Sequence, residues 1–403
     1  MNRREFLKSA LTLAALAPVT RLAAKAGADG DKASDLTSGA QVTRRRWKDS
    51  ALTLPLLGFG CMRLPRITPD NPAIDYPTVK KMIDRAMLAG CNYFDTAYMY
   101  HGGESEKCLG ELLKSYSRDA YYLADKMPVW FAKKESDVER IFKEQLARCK
   151  TDYFDFYMLH ALDKANWELA KKFHACEFLR KMKKEGKIRK LGFSFHDTPE
   201  TLQTIVDAQE WDFAQIQLNY LDWELYRSRE QYEILTKAGI PVIIMEPLRG
   251  GDLLKADLSM FGKAMTPVQA LDYALTRPAV AAVMAGCKTI DEIRQALAWC
   301  TATPEEKDYA AVLANVEKCS WSGHCMYCGH CAPCPKAISV ADVNKFLNLA
   351  IAQGKVPETV REHYKLLPHH ASECIQCGAC EKRCPFGVPV REKMKQAAEL
   401  FGI

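Results

Sequence analysis

Residues 154–160 read FDFYMLH, a run of aromatic and aliphatic residues that closes on a histidine. A short apolar run of this kind is typical of a buried β-strand. Seven further runs share its character, and apolar-periodic stretches such as 79–88 and 202–208 separate them as helices would. In chain order, the eight predicted strands are 56–60, 93–96, 121–126, 154–160, 188–195, 213–218, 241–245 and 281–285.

Alternating strands and helices predict parallel pairing through right-handed crossovers. Eight repeats in about 250 residues predict a closed (β/α)8 TIM barrel, which we assign to residues 51–303. The apolar content of 48% is sufficient for a large core. An open doubly wound sheet is the alternative, but no Gly-x-Gly-x-x-Gly follows the first strand.

Four polar residues stand at or just beyond the C-terminal ends of predicted strands: Asp95, Tyr100, Lys126 and His160. Each alone is typical of an ordinary buried polar residue, but parallel strands would bring all four to one rim of a barrel. A tyrosine with a pKa near 10 needs a nearby cation to stabilise its phenolate, and Lys126 would supply it while Asp95 holds the lysine. His160 would then bind the substrate oxygen. The set predicts carbonyl reduction with hydride from a cofactor.

These residues and their surroundings resemble the aldo-keto reductases. The segment FDTAYMYHGGESEKCLGELLK is similar to the family's Asp and Tyr region, and LGFGCMRLP, KLGFSFHD, QIQLNY and IMEPLRGG fit the same family. The resemblance implies a nicotinamide cofactor, NADP(H) or NAD(H). It places the cofactor contacts at Ser194, Gln217, Leu248, Arg249, Gly250, Gly286 and Lys288.

Two positions depart from the family's pattern. Met245 stands where an aromatic ring commonly stacks on the nicotinamide, and Ala296 stands where an asparagine is expected near the adenine. Lys288 remains able to meet a phosphate as a point charge.

Half of the 16 cysteines fall in the last 80 residues, in two groups. The second group follows C-x2-C-x2-C-x3-C-P, the bacterial ferredoxin pattern for [4Fe–4S] clusters, and the first has the same plan with a shorter last gap. In two-cluster ferredoxins the fourth cysteine of each run binds the other cluster. The pattern therefore predicts cluster I on Cys325, Cys328, Cys331 and Cys384, and cluster II on Cys374, Cys377, Cys380 and Cys334.

Zinc and disulfides are the alternatives for these cysteines. Paired C-x2-C motifs bind zinc, but zinc does not require a third cysteine at the same spacing or a Cys-Pro ending. Disulfides suit an exported protein. The two-cluster pattern after such a barrel resembles a subfamily of aldo-keto reductases with a mostly helical ferredoxin-type tail, which we assign to residues 304–403.

The N-terminus carries Arg3-Arg4, a short apolar run and a small-residue site, and so resembles a twin-arginine signal peptide over residues 1–28. The polar residues 29–50 read as a linker. The twin-arginine route exports folded protein, so we expect a periplasmic protein whose clusters are inserted before export. The net charge of +6 owes +4 to this leader and gives no reason to expect nucleic acid binding, and no membrane span is expected.

The sequence thus predicts an exported oxidoreductase that interconverts a carbonyl and an alcohol on a small molecule and passes single electrons through two clusters to a redox protein partner. The alternative is an electron-transfer protein whose barrel is a docking scaffold with a weakened nicotinamide site. Met245 and Ala296 favour that alternative, and the intact set of four polar residues opposes it.

Overall fold

The computed structural model describes residues 41–48, 50–68, 71–256, 263–313, 323, 325, 327, 331–352, 356, 358–384 and 386–403. Eight parallel strands form a closed barrel in chain order, with the last strand paired to the first, as the sequence predicted. A short hairpin of two strands comes before the barrel, so the barrel strands are numbered from β3. They are β3 Leu57–Gly60, β4 Tyr93–Asp95, β5 Tyr122–Met127, β6 Phe154–Leu162, β7 Ile188–Phe195, β8 Phe213–Gln217, β9 Val242–Met245 and β10 Val280–Gly286.

A hairpin precedes the barrel. It pairs β1 Arg44–Arg46 with β2 Thr53–Pro55, where a linker was expected, so the linker ends earlier than residue 50. Trp47 is buried in the hairpin, with its ring 5.4 Å from Phe156 and 6.4 Å from Phe213, near the N-terminal ends of their strands. Aromatic packing therefore fills that end of the barrel and leaves the opposite end for a site.

Helices cover the outside of the barrel, and their apolar faces join the strands in one large core. The helix after β9 shows the local reason for its start: Pro267 occupies its first turn and Thr266 forms a reciprocal capping box with Gln269. The barrel helices are α1 Tyr76–Leu88, α2 Glu104–Leu112, α3 Ser136–Arg148, α4 Lys164–Lys172, α5 Ala175–Lys184, α6 Pro199–Ala208, α7 Asp222–Leu225, α8 Ser228–Lys237, α9 Pro267–Leu275 and α10 Ile290–Leu297.

The segment that follows α10 forms two short helices in place of one continuous helix. The structure has α11 Pro304–Lys307 and α12 Ala310–Leu313, and residues beyond 313 lie outside the described part. Asp308 is extended between them, its carbonyl accepts a hydrogen bond from the Gln269 side chain, and its carboxylate accepts one from the Ala310 amide. These bonds replace helical ones, which explains the break.

The C-terminal region is helical and has its own core. Its helices are α13 Val340–Ala352, α14 Glu358–Lys365, α15 Ala379–Arg383 and α16 Val390–Phe401. One apolar face of α13 is buried, at Val340, Val343, Leu347 and Ala350. The rings of Tyr364 and Phe401 stack at 3.9 Å between centroids. Within the described residues, no helix is both long and apolar enough to span a bilayer.

The predicted signal peptide 1–28, the first part of the predicted linker (29–40) and Cys328 lie outside the described residues.

Candidate functional site

Lys126 is the centre of the polar group on the barrel rim. Its ammonium donates to Asp95 Oδ1 at 2.5 Å, to the carbonyl of Thr96 at 2.7 Å and to the Tyr100 hydroxyl at 3.2 Å. All of these groups are buried, and Gln215 Nε2 donates to the other Asp95 oxygen at 3.0 Å. The lysine is therefore held by three acceptors at one end of the barrel.

The strands bring these residues together. Asp95 ends β4, Lys126 lies near the end of β5, His160 lies near the end of β6, and Tyr100 begins the short helical turn after β4. β4 pairs with β5 and β5 with β6, with Lys126 directly opposite Met158. The four predicted side chains thus meet at the C-terminal end of adjacent strands.

Burial and the neighbouring charges have opposite effects on the pKa values of Tyr100 and Lys126. Burial raises the pKa of Tyr100 above its ordinary value, and the charge of Lys126 only partly offsets that effect. The expected cation is in place, yet burial outweighs it, so the tyrosine is protonated at neutral pH. Burial lowers the pKa of Lys126, but Asp95 and Tyr100 outweigh burial and the net pKa is raised, so the lysine is charged.

His160 lies in an aromatic corner of the same site. Its ring centroid is 5.9 Å from Tyr100, 5.1 Å from Trp130 and 6.1 Å from His363 of helix α14. Burial, and then the charge of Lys126, lower its pKa well below the ordinary value, so the imidazole is neutral. Its Nδ1 is buried without a hydrogen-bond partner among the described residues.

A cavity of about 760 Å³ opens from this group and runs along the rim to α10. Six of the seven expected nicotinamide contacts line it, as do Met245 and Ala296. A volume of this size suits a large ligand. The donor set and the volume of the cavity fit a nicotinamide dinucleotide lying between the four-residue group and α10. The six lining contacts are Ser194, Gln217, Leu248, Gly250, Gly286 and Lys288.

Protein groups already bind several of these contacts, and the Lys288 amide donates to Glu292 Oε2 at 2.5 Å. Ser194 Oγ accepts from the amide of Ala161 at 2.6 Å, and Gln217 Nε2 donates to Asp222 at 2.6 Å. The remaining predicted contact, Arg249, is buried and lies behind the cavity wall. Its guanidinium is 3.8 Å from Asp222 and donates to the Tyr327 hydroxyl at 2.7 Å. Tyr327 stands between Cys325 and Cys328 in the sequence.

The C-terminal helices form a roof over the barrel cavity, and we use that name for α13 and α14. Lys345, Phe346 and Leu349 of α13 and Val360 and His363 of α14 line the same cavity as Tyr100 and Lys126. Glu358 at the start of α14 pairs with Arg66 of the barrel at 3.6 Å. The iron–sulfur domain therefore supplies one wall of the barrel's site.

One half of the cysteine pattern meets at a small pocket in the C-terminal domain. Cys334, Cys374, Cys377 and Cys380 line it, with apolar walls from Ile338 and Met394. Gln376 Nε2 lies 3.4 Å from Cys374 Sγ, as a donor to a thiolate would. Four thiols around one pocket fit a [4Fe–4S] cluster, and they are the four that the pattern assigns to cluster II.

The other predicted set is described in part. Cys325, Cys331 and Cys384 are half-buried against the apolar core of the C-terminal domain. Three contacts join their segments. Arg383 donates to the Cys331 carbonyl and, at 2.7 Å, to the Pro333 carbonyl, and the Gly323 amide donates to the Phe386 carbonyl at 2.6 Å. The described cysteines form no disulfide, and the described residues hold no group of three His, Cys, Asp or Glu side chains placed to share one metal ion.

Several residues of the site escaped sequence analysis. Gln215 lies two residues before Gln217 on the same strand, and the period of two already placed both on one face. Arg63 and Glu246 form a 3.0 Å ion pair that lines the cavity, and Lys345 and His363 reach it from the roof. Nothing in the local sequence around the last two residues signals a position beside a barrel.

Comparison with known proteins places this fold and site in a family. Residues 56–269 match the model of the Aldo/keto reductase family, and residues 321–388 match that of the 4Fe-4S dicluster domain. The first match covers more than half of the 403 residues, and the chain belongs to the aldo/keto reductase family. It is an oxidoreductase with an iron–sulfur domain at its C-terminal end.

Individual relatives match the barrel. An uncharacterized oxidoreductase of Bacillus subtilis is 26% identical over 289 residues, which cover 62% of this chain and 89% of the relative. L-galactose dehydrogenase of Arabidopsis thaliana is 24% identical, with 64% and 88% covered. The structure of an aldo-keto reductase from Bacillus halodurans superposes with a TM-score of 0.57 at 24% identity, covering 69% of this chain and 96% of that one. The superposition on the Bacillus halodurans structure shows only that the two folds are alike.

Proposed function

We propose that the protein interconverts a carbonyl and an alcohol on a small molecule at the Asp95, Tyr100, Lys126 and His160 site and exchanges single electrons through two [4Fe–4S] clusters with a redox partner. The observation that carries the proposal is the position of the Lys126 ammonium, 2.5 Å from Asp95 and 3.2 Å from the Tyr100 hydroxyl, on the wall of a cavity large enough for cofactor and substrate.

In the reductive direction, Tyr100 donates its proton to the carbonyl oxygen. Lys126 stabilises the phenolate that remains, and Asp95, with Gln215 behind it, keeps the ammonium charged and in place. The neutral His160 orients the same oxygen. Ser194 and Lys288 are among the residues that would hold a reduced nicotinamide, which would supply the hydride for the carbonyl carbon.

Replacing Tyr100 by phenylalanine tests the catalytic assignment. General acid catalysis contributes about 10²- to 10⁴-fold, so turnover of aldehydes with NADH or NADPH should fall by that factor while about eight irons per chain are retained. Tyr98→Phe is the matched control, because Tyr98 lies in the same loop, two residues before Tyr100, and its hydroxyl donates to Glu144 at 2.7 Å. Equal turnover in wild type and Tyr100→Phe would reject the assignment.

Coupling to the clusters needs a separate experiment. Under anaerobic conditions NADH or NADPH should bleach the visible cluster absorbance if the barrel and clusters exchange electrons. Bleaching by dithionite alone, with neither nucleotide effective, would instead support the scaffold alternative. That alternative draws on Met245 and Ala296, both of which line the cavity.

Location is a further part of the proposal. The leader with Arg3-Arg4 supports export to the periplasm in the folded state, with clusters already inserted. Replacing both arginines by lysine should hold the protein in the cytoplasm, as fractionation of the producing bacterium would reveal.

A further inference from the structure

Lys345 is the one roof residue that brings an ammonium group into the cavity. It lies on α13, 149 positions along the chain from His196, which follows β7. Its Nζ is 3.2 Å from His196 Nδ1 and 5.3 Å from the centroid of the Tyr226 ring. The lysine therefore stands at the junction of roof and barrel, on the wall that Tyr100 and Lys126 share.

Lys345 differs from Lys126, the other buried lysine of this cavity, in its charged partners. Lys126 is paired with Asp95, whereas among the described residues no carboxylate oxygen lies within 4.0 Å of the Lys345 ammonium. Asp342, one turn earlier on α13, accepts a hydrogen bond from Ser339 Oγ at 2.5 Å. An ammonium has three donors, and the described contacts of Lys345 account for one of them.

The surroundings compensate this charge only in part. Burial lowers the pKa of both His196 and His160, so these two rings are neutral and offset none of the charge. Burial also lowers the pKa of Lys345, although the carboxylates of Asp342, Asp222 and Glu246 oppose the effect without contacting the ammonium. A buried ammonium whose hydrogen-bond partner is a neutral ring is costly, and an anion in the cavity would reduce that cost.

We propose that Lys345, supported by His196, binds an anionic group of the carbonyl substrate, so that the enzyme's substrates are aldehydes or ketones that also carry a carboxylate or a similar acid. The iron–sulfur domain would then select the substrate as well as carry electrons. This inference rests on the proposed carbonyl chemistry for its substrate class, but the subsite itself is a matter of binding.

Binding to the holoprotein without nucleotide tests the subsite. Calorimetric titration would compare 4-formylbenzoate with 4-formylbenzamide, which has the same shape and no charge. The wild type should bind the carboxylate about tenfold more tightly, because one charge-assisted hydrogen bond separates the two ligands. Lys345→Met should abolish that preference. Lys365→Met, which removes an exposed lysine of α14 paired with Glu362, should leave it unchanged.

Three results would overturn the inference. Equal affinity of the wild type for the two ligands would do so even if Lys345→Met failed to fold. Retention of the preference in a Lys345→Met protein with about eight irons would also reject it. The third result is a Lys345→Met protein that loses affinity for NADPH while it keeps the carboxylate preference. Lys345 would then bind the nucleotide and not the substrate.

Turnover with NADH or NADPH is recorded separately, so the two proposals fail in different ways. A Lys345-dependent carboxylate preference without turnover would sustain the subsite and reject the carbonyl chemistry. Turnover of both aldehydes without a preference for the carboxylate would support the carbonyl chemistry and reject the subsite.

Discussion

Arg249 Nη2 donates a hydrogen bond to the Tyr327 hydroxyl at 2.7 Å, and this bond joins the barrel loop after β9 to the cysteine segment that includes Cys325. The same hydroxyl accepts from Asn348 of α13 at 2.7 Å. Leu248 and Gly250, on either side of Arg249, line the cavity. Arg249, which was expected to contact nicotinamide, thus points toward the iron–sulfur domain and links the barrel to it through a hydrogen bond.

Tyr327→Phe should loosen this connection. Removal of the hydroxyl leaves the buried guanidinium of Arg249 with fewer partners, which should destabilise the protein by about 1–3 kcal/mol. We also expect slower nucleotide-driven bleaching of the clusters, with dithionite reduction unaffected. Differential scanning calorimetry and stopped-flow absorbance would measure the two effects. Tyr309→Phe is the control, because Tyr309 is half-buried and its ring packs on Tyr273. An unchanged melting temperature in Tyr327→Phe would contradict the prediction.

Iron content tests the crossed assignment of the cysteines. Cys334 lines one pocket with Cys377, so Cys334→Ser and Cys377→Ser should each cost the same cluster, about four irons per chain. The double variant Cys334→Ser/Cys377→Ser should lose no more iron than either single variant. Cys334→Ser/Cys384→Ser should lose about eight, because the two residues are assigned to different clusters.

Iron analysis after anaerobic purification decides the question. Cys300→Ser, a half-buried cysteine of the barrel, should retain all the iron. An additional loss in the Cys334/Cys377 pair would mean that the clusters are not crossed as the pattern predicts.

Acidification should destabilise the protein in part through His101. Burial lowers the pKa of His101 to about 4, with Arg66 contributing less. Between about pH 6.5 and 4 the unfolded chain binds a proton at this residue and the folded chain does not, so the stability falls as the pH falls. His101→Asn should make the fall shallower, and asparagine tolerates the φ of 53° at this position.

Melting temperatures measured from pH 7 to pH 5 would check this effect. His174→Asn is the matched control, because His174 has a φ of 51° but is exposed. A slope that is the same in wild type and His101→Asn would show that another group dominates, with His160 and His196 the first to examine.

Gly110→Ala should reverse the usual effect of alanine in a helix. Alanine is favoured over glycine by about 1 kcal/mol in helix interiors. In α2, however, a Cβ at Gly110 would lie 2.3 Å from the Arg148 carbonyl oxygen and 2.7 Å from the Cys149 carbonyl carbon, so α2 and α3 would have to separate.

We expect a loss of about 1–3 kcal/mol, seen as a lower denaturation midpoint. Lys107→Ala, an exposed site on the same helix, should change stability by less than about 0.5 kcal/mol. A more stable Gly110→Ala protein would show that the close approach can relax.

Much of the barrel and its polar rim was predictable because the signals are local. The run that ends at His160 and the equivalent run that ends near Lys126 are strands in their own right, and parallel pairing then forces their ends together. The cysteine pattern is local too, since its spacing suits one kind of metal cluster. The hairpin at Arg44–Arg46 escaped notice because three charged residues carry no apolar period, although Trp47 and Leu54 beside them are buried.

Local sequence patterns alone predict the eight-stranded barrel, the four polar residues on its rim and the paired cysteine runs. The folded chain adds three features that these patterns do not predict: α13 and α14 roof the barrel, Lys345 and His363 enter the site, and Arg249 turns toward Tyr327. These features join residues that are far apart along the chain. Lys345 and His196 are 149 positions apart, and their contact depends on how two separately formed cores pack against each other, which no local period encodes.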